Sequence, residues 1–156
     1  MLLAINANNT NVKFTLFDGD DTIGEWRQHT TSARTTDEHA VWLSQLFNLN
    51  GLDSAVITDT VIACVVPQAL FNLRRLCSFY FNSDPLVLGE EETNYGIEVK
   101  AIPPVGADRI CNTVGAGIIF PNQPIIIVDF GTATTFDVVD EVGNYCGGAI
   151  APGINL

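Results

Sequence analysis

Basic side chains are scarce in this chain of 156 residues. Its 7 lysines and arginines stand against 18 aspartates and glutamates, a net charge of −11 with a pI near 4.2. The cationic surface on which non-specific nucleic-acid binding depends is missing, so no nucleic-acid partner is expected. Anionic small molecules stay open, because a few local donors decide such sites. No apolar run approaches the roughly 18 residues of a membrane helix. The stretches at 61–66 and 125–128 are strand-sized, and no membrane partner is expected. A basic n-region is lacking too, and Asn6 interrupts the first apolar stretch at once, so no secretory signal is read. Cys64, Cys77, Cys111 and Cys146 form no CxxC pair. That favours reduced core thiols in a cytoplasmic protein over disulfides or a metal site. No GxxxxGK[ST] follows any strand, which excludes the helix-type P-loop. At 47% hydrophobic and 16% charged, the chain can bury a core and is not a disordered linker.

What is present begins with alternation. Residues 2–5 read as a short strand, 7–10 as a turn and 12–17 as a second strand. After Asp18-Gly19-Asp20-Asp21, residues 22–29 read as a third, completing an antiparallel meander. Thr35 or Thr36 reads as an N-cap, with Asp37 and Glu38 favoured in the first helical turn. The helix carries Val41, Leu43, Leu46, Phe47 and Leu49 and ends near Gly51. Residues 61–66 suit a buried strand. Pro67 opens a helix through Leu70, Leu73, Leu76 and Phe79, and 85–88 is another strand. The pattern predicts an α/β mixed sheet with helices on its faces. The acidic run Glu90-Glu91-Glu92 reads as an exposed loop, 97–100 as a short strand, and Pro103-Pro104 as an extended lead-in. A small-residue helix over 106–119 implies close packing against another element. Strands are then expected at 125–129, 132–139 and 145–151, around a turn at Gly143-Asn144.

A weak internal repeat organises these segments. Shifted by 123 residues, Leu2-Leu3-Ala4-Ile5-Asn6 overlies Ile125-Ile126-Ile127-Val128-Asp129, Asn8 falls on Gly131, Asn9 on Thr132 and Asn11 on Thr134. Each copy is strand, polar hairpin, strand, which suggests two half-sites facing one cleft. The division expected is residues 1–101 and 102–156. The second copy lacks a helix to cover its strands, so the chain reads as a fragment, or as one whose open face another copy covers.

A polar turn between buried strands presents N–H groups and short donors to one point, a nest suited to phosphate oxygens. Asn6-Ala7-Asn8-Asn9-Thr10-Asn11 supplies amides and a hydroxyl, with Val12 and the Lys13 cation behind. Asn8 and Asn9 tolerate the positive φ of a tight turn. Gly131-Thr132-Ala133-Thr134-Thr135 supplies hydroxyls, with Asp129 at its entrance. Either turn alone is ordinary hairpin chemistry; the pair points to a ligand. Gly106-Ala107-Asp108-Arg109 opens a helix between them. Asp108 there is either a partner of the helix dipole or the carboxylate that orients and deprotonates an alcohol, with Arg109 holding an anionic substrate. His29 and His39 read as solvated or structural.

These segments resemble the type III pantothenate kinases, within the superfamily of acetate and sugar kinases, heat-shock chaperone ATPases and actin. The matching stretches are LLAINANNTNVK at 2–13, NYG at 94–96, PVGADRICNTVGA at 104–116, IVDFGTATTFDVV at 127–139 and YCGGAIAPGINL at 145–156. The resemblance implies a ribonuclease H-like (actin-like ATPase) fold, with the first strands of a duplicated second domain. It implies ATP-dependent phosphorylation of pantothenate to 4′-phosphopantothenate, towards coenzyme A. By it, Asn6, Ala7, Asn8, Asn9, Thr10, Asn11, Val12 and Lys13 contact ATP, with Thr132 a second contact. Gly106, Ala107, Asp108 and Arg109 bind pantothenate, Asp108 as proton acceptor, and Tyr95 lines the same pocket. Asp129 holds a monovalent cation, K+ or NH4+, beside the Mg2+ that accompanies ATP. A homodimer is implied.

Two departures stand out. Asn6 and Asn8 occupy the places of the family's Asp and Gly in DxGNT, removing a carboxylate that helps hold magnesium. The family also continues past this point, with an adenosine-contacting loop and a further pantothenate contact. Two other readings come with them. One is a non-catalytic relative that binds a phosphate ligand and acts through a partner. The other is a different superfamily kinase or a polyphosphate hydrolase, against which PVGADR argues.

Overall fold

The period-two alternation near the N-terminus becomes an antiparallel meander in the computed structural model, which describes residues 1–90, 94–101 and 105–154. β1 (Leu2–Ala7) pairs with β2 (Asn11–Asp18), and β2 with β3 (Asp21–His29). Leu3, Ile5, Ala7, Val12, Phe14 and Leu16 share one buried face through that register. α1 (Thr36–Leu49) starts in a capping box. The Glu38 amide donates to the Thr35 hydroxyl, and the Glu38 carboxylate accepts the Thr35 N–H. The chain leaves the helix through Asn50 and Gly51, the latter at φ +70°. β4 (Asp59–Cys64) lies parallel to β1, and β5 (Leu86–Leu88) parallel to β4, with α2 (Pro67–Tyr80) crossing between them. The sheet order is β3-β2-β1-β4-β5.

Both helices of this unit pack into one core on the Leu3–Phe14 face, rather than one on each face. The ring of Phe14 meets His39 at 6.1 Å and Trp42 at 5.6 Å between centroids, and Trp26 meets Phe47 at 4.7 Å. α1 buries Thr36, His39, Ala40, Leu43 and Phe47, and α2 buries Ala69, Leu73, Leu76 and Cys77. Val41, Leu49 and Phe79, expected on the apolar stripes, are exposed. Val41 and Leu49 fall off the three-and-four spacing that the buried set of α1 defines; Phe79, three residues after Leu76, keeps the spacing but lies in the last turn of α2. All four cysteines are free. Burial pushes the Cys77 thiol up to about 11, whereas Cys146 is exposed and so is no core thiol.

His39 is structural, and only 2% exposed. Desolvation, with help from the Arg34 charge, lowers its pKa from 6.5 to about 4. The folded state therefore binds its proton later than the unfolded chain. The associated stability is complete above pH 6.5 and is lost as pH falls towards 4. Between pH 7.5 and pH 5 this amounts to about 2 kcal/mol. Urea titrations followed by tryptophan fluorescence should show the parent losing that much more stability than His39→Leu. Equal losses would contradict the assignment.

The chain divides into two compact units, Met1–Glu90 and Glu91–Leu156. In the second unit α3 (Ala107–Ile119) precedes an antiparallel meander of β6 (Ile125–Phe130), β7 (Ala133–Val139) and β8 (Tyr145–Pro152). α3 lies against β6 and β7, so these strands do have a helix on one face. The other face leaves Ile126, Val128, Phe130, Phe136 and Val138 exposed. Residues 97–100 do not form the expected strand; Val99 makes a single bridge to Tyr145. Side chains take over the neighbouring groups: Glu98 N–H donates to Asn144 Oδ1, and Lys100 Nζ to Asp140 Oδ2. Of the acidic run, Glu90 is exposed, while Glu91, Glu92, Pro103 and Pro104 lie outside the described residues. Small residues of α3 do not mark the close contact expected of them. A Cβ added at Gly115 or Gly117 would meet nothing within 4 Å among the described residues. No helix of the described residues is long and apolar enough to cross a membrane.

Candidate active site

Of the residues expected to contact ATP, Thr132 lies between β6 and β7, whereas residues 6–13 form the β1–β2 hairpin. Ala7 and Val12 are its last pair, and the Asn8 N–H closes the turn on the Asn11 carbonyl at 2.9 Å. Thr30, just past β3, braces it: its hydroxyl donates to the Asn8 carbonyl at 2.6 Å and its N–H to the Thr10 carbonyl at 2.9 Å. Val65 donates to the Ala7 carbonyl at 3.0 Å. Neither Asn8 nor Asn9 has the positive φ expected of it. Among described non-glycine residues, Asn82 at +51° and Asn122 at +60° do; Asn82 directly follows the C-cap of α2, a usual site for left-handed Asn, and Asn122 stands two residues past that of α3.

The Oδ1 atoms of Asn6 and Asn8 are buried and lack a hydrogen-bond partner among the described residues. An orphaned buried acceptor costs about 1–3 kcal/mol. Acceptors of this kind suit water molecules or a hydrated cation better than phosphate oxygens. Lys13 is paired with Asn6 in register, and its ammonium lies 2.7 Å from Glu25 Oε2. That contact holds the Glu25 carboxyl below its usual range. The lysine charge near the turn is therefore shared with an acid on β3.

The second hairpin repeats the first with one residue fewer. Phe130 pairs with Thr134, and the Gly131 N–H donates to the Ala133 carbonyl at 3.0 Å. Beyond the turn Thr134 thus matches Val12, not Asn11, and Phe136 matches Phe14. Thr132 and Asp129 are both exposed. Gly153 closes on this turn: a Cβ there would stand 2.4 Å from the Thr132 carbonyl oxygen and 2.6 Å from that of Gly131.

Gly106 caps α3 without a side chain, and its carbonyl accepts from the Arg109 and Ile110 N–H groups at 3.1 and 3.2 Å. Asp108 is half-buried in the first turn, where its Oδ1 accepts the Arg109 N–H at 2.9 Å. One turn on, Asn112 Nδ2 reaches Asp129 Oδ2 at 3.4 Å. Among the described residues no three His, Cys, Asp or Glu side chains gather to hold a metal. Tyr95 is half-buried in the segment before α3.

Sequence reasoning missed Thr30, Asn112, Asp137, Tyr145, Gly148 and Gly153. All but Thr30 lie in the stretches that carry the resemblance, but none stands out by spacing or alternation; between Phe136 and Val138, alternation reads Asp137 as outward, whereas it is buried.

The family profile of the type III pantothenate kinases matches residues 2–156. The type III pantothenate kinase of Rhodospirillum rubrum is 56% identical over 100% of this chain and 61% of its own length. That of Paramagnetospirillum magneticum is 52% identical over 100% of this chain and 60% of its own. The chain thus spans about three fifths of the length of these curated relatives. Among solved structures, a candidate 2-dehydro-3-deoxygalactonokinase from Sinorhizobium meliloti superposes with a TM-score of 0.61 at 9% identity, over 96% of this chain and 53% of that one. The type II variant of the Aquifex aeolicus Ppx/GppA phosphatase gives 0.54 at 14%, over 99% and 53%. At such identity the likeness is one of fold, and that fold is the α/β, actin-like arrangement expected from the sequence.

Proposed function

This chain belongs to the type III pantothenate kinase family, and on that premise we propose that it carries phosphoryl transfer from ATP to pantothenate, towards coenzyme A. The observation that supports the reading is the retained GADR start of α3, with Asp108 in its first turn, in a chain that also keeps both polar hairpins. Asp108 accepts the proton of the pantothenate hydroxyl as its oxygen attacks the γ-phosphorus and the bond to the β-phosphate oxygen breaks. ADP leaves with that oxygen, and 4′-phosphopantothenate is formed. Gly106, Ala107, Arg109 and Tyr95 hold pantothenate; residues 6–13 and Thr132 hold ATP. Magnesium bound with ATP neutralises charge on its phosphates, and Asn6 and Asn8 offer their free Oδ1 atoms to its water shell. A monovalent cation, K+ or NH4+, belongs beside Asp129. The reading includes a homodimer and a cytoplasmic setting, which suits four unpaired cysteines.

A coupled assay of the full-length protein containing this sequence tests the reading. ADP release should depend on pantothenate and rise with potassium. Asn6→Asp restores a carboxylate at the magnesium position, and its half-saturating magnesium concentration should fall about tenfold, on the scale of one charge-assisted contact. Asn6 also favours a second reading, a non-catalytic relative that binds a phosphate ligand. Nucleotide binding by calorimetry, with no ADP from either variant, would decide for that one.

A further inference from the structure

β7 carries a buried acid that takes no part in the phosphoryl transfer step itself. Asp137 is fully buried, between the exposed Phe136 and Val138. Its Oδ1 accepts from Arg109 Nε at 2.6 Å and from the Tyr145 hydroxyl at 3.0 Å, and Arg109 Nη2 lies 2.6 Å from the same oxygen. Arg109 Nη2 also donates to the Phe136 carbonyl at 3.2 Å, and the guanidinium carbon stands 5.7 Å from the centre of the Tyr145 ring. Gly148 leaves the room this requires. A Cβ at that position would lie 2.0 Å from the Phe136 oxygen and 2.4 Å from Arg109 Nη2. Strands β7 and β8 thus close around the guanidinium of the residue that follows Asp108. Two of its three nitrogens are taken up in doing so.

Ala107 and Ile110 bury the start of α3, but no side chain caps it. α1 has a capping box, whereas Gly106 offers α3 no side chain. Residues 106–110 are joined by the bonds from the Arg109 and Ile110 N–H groups to Gly106, and by the Asp108 carboxylate on the Arg109 N–H. Where Arg109 is fixed, Asp108 is fixed with it. We propose that Asp137 is a positioning residue for the alcohol-activating end of α3: through Arg109, and with Tyr145, it sets the first helical turn and so the place of the Asp108 carboxylate. The inference rests on the kinase reading for its consequence and on the latch geometry for its substance. A fully buried aspartate on β7 then has a reason to be there. A buried acid paired to an arginine adds little net stability over apolar packing, but it fixes one geometry.

The test has two arms, both on the full-length protein. In the first, hydrogen exchange of the Arg109 and Ile110 amides should quicken at least tenfold in Asp137→Asn, with the amides of β6 unchanged. In the second, kcat with pantothenate should fall by about 10- to 100-fold, the scale of an ångström-sized misplacement, with the KM for ATP within about twofold of the parent. Tyr145→Phe keeps the ring and removes one donor to Oδ1. It should show both effects more weakly, and it carries the test if Asp137→Asn fails to fold. Unchanged exchange at 109–110 would overturn the latch. Quickened exchange with kcat unaltered, or with kcat and the KM for ATP worsening alike, would leave Asp137 a structural residue and overturn its positioning role. If the parent itself makes no phosphorylated product while exchange responds as expected, the kinase reading falls and the latch stands.

Discussion

Asp108→Asn should cost the full-length protein about 10²- to 10⁴-fold in kcat for pantothenate, the usual worth of a positioned base. The amide keeps an oxygen that can accept the Arg109 N–H, so the local bond seen at 2.9 Å survives the change. It cannot take a proton from an alcohol. Losing a charge from the first turn of α3 weakens the interaction with the helix dipole by about 0.3–1 kcal/mol. The melting temperature should therefore move by only a few degrees. Circular dichroism and the KM for ATP are the controls. A variant as fast as its parent would remove Asp108 from the role of proton acceptor, and one that unfolds would show the residue to be structural.

The second large effect is expected at Gly148, where the space for a side chain is filled by backbone. The nearest atom to an added Cβ is the Phe136 carbonyl oxygen at 2.0 Å, followed by Arg109 Nη2 at 2.4 Å and Asp137 Oδ1 at 3.0 Å. Neither the strand nor a guanidinium held by two acceptors can step aside cheaply. Overpacking of this kind costs about 1–3 kcal/mol. Displacing Arg109 from a buried carboxylate adds about 3–5 kcal/mol, the penalty of leaving that charge unpaired. Gly148→Ala should consequently unfold β7 and β8. Both tryptophans, Trp26 and Trp42, lie in the first unit, so fluorescence will not report this, and hydrogen exchange of β7 is the proper measurement. Gly115→Ala is the matched control. Nothing lies within 4 Å of the new methyl, and alanine inside a helix should be neutral or stabilising by about 0.5–1 kcal/mol. Protection of β7 equal to that of the parent in Gly148→Ala would contradict the reading of that close approach.

Much of the architecture was legible because it rests on local chemistry. The capping pair Thr35 and Glu38, the helix-opening Pro67 and the alternation through Phe14 and Leu16 each state their structure within a few residues. Helix faces were less legible, since Val41 and Leu49 are apolar but off the stripe, and hydrophobicity without phase misassigns them; Phe79 is in phase but exposed in the last turn of α2. The repeat was visible in β1 and β6 and slipped by one residue beyond the turn. Only pairing fixes a register, and the second hairpin is shorter. Of the candidate site, Asp108, the Asn-rich turn and Asp129 could be named because polar groups in turns stand out in sequence. The Arg109–Asp137–Tyr145 latch could not be assembled that way. Its three members come from three elements, brought together by the packing of α3 on β7 and the pairing of β7 with β8.

One measurement bears on the central claim most directly: mass analysis of the products when the full-length protein is incubated with ATP, magnesium, potassium and pantothenate. The expected result is ADP together with pantothenate heavier by one phosphoryl group, in equal amounts. ADP with inorganic phosphate and unaltered pantothenate would mean that water, not the vitamin's alcohol, is the acceptor, and would contradict it.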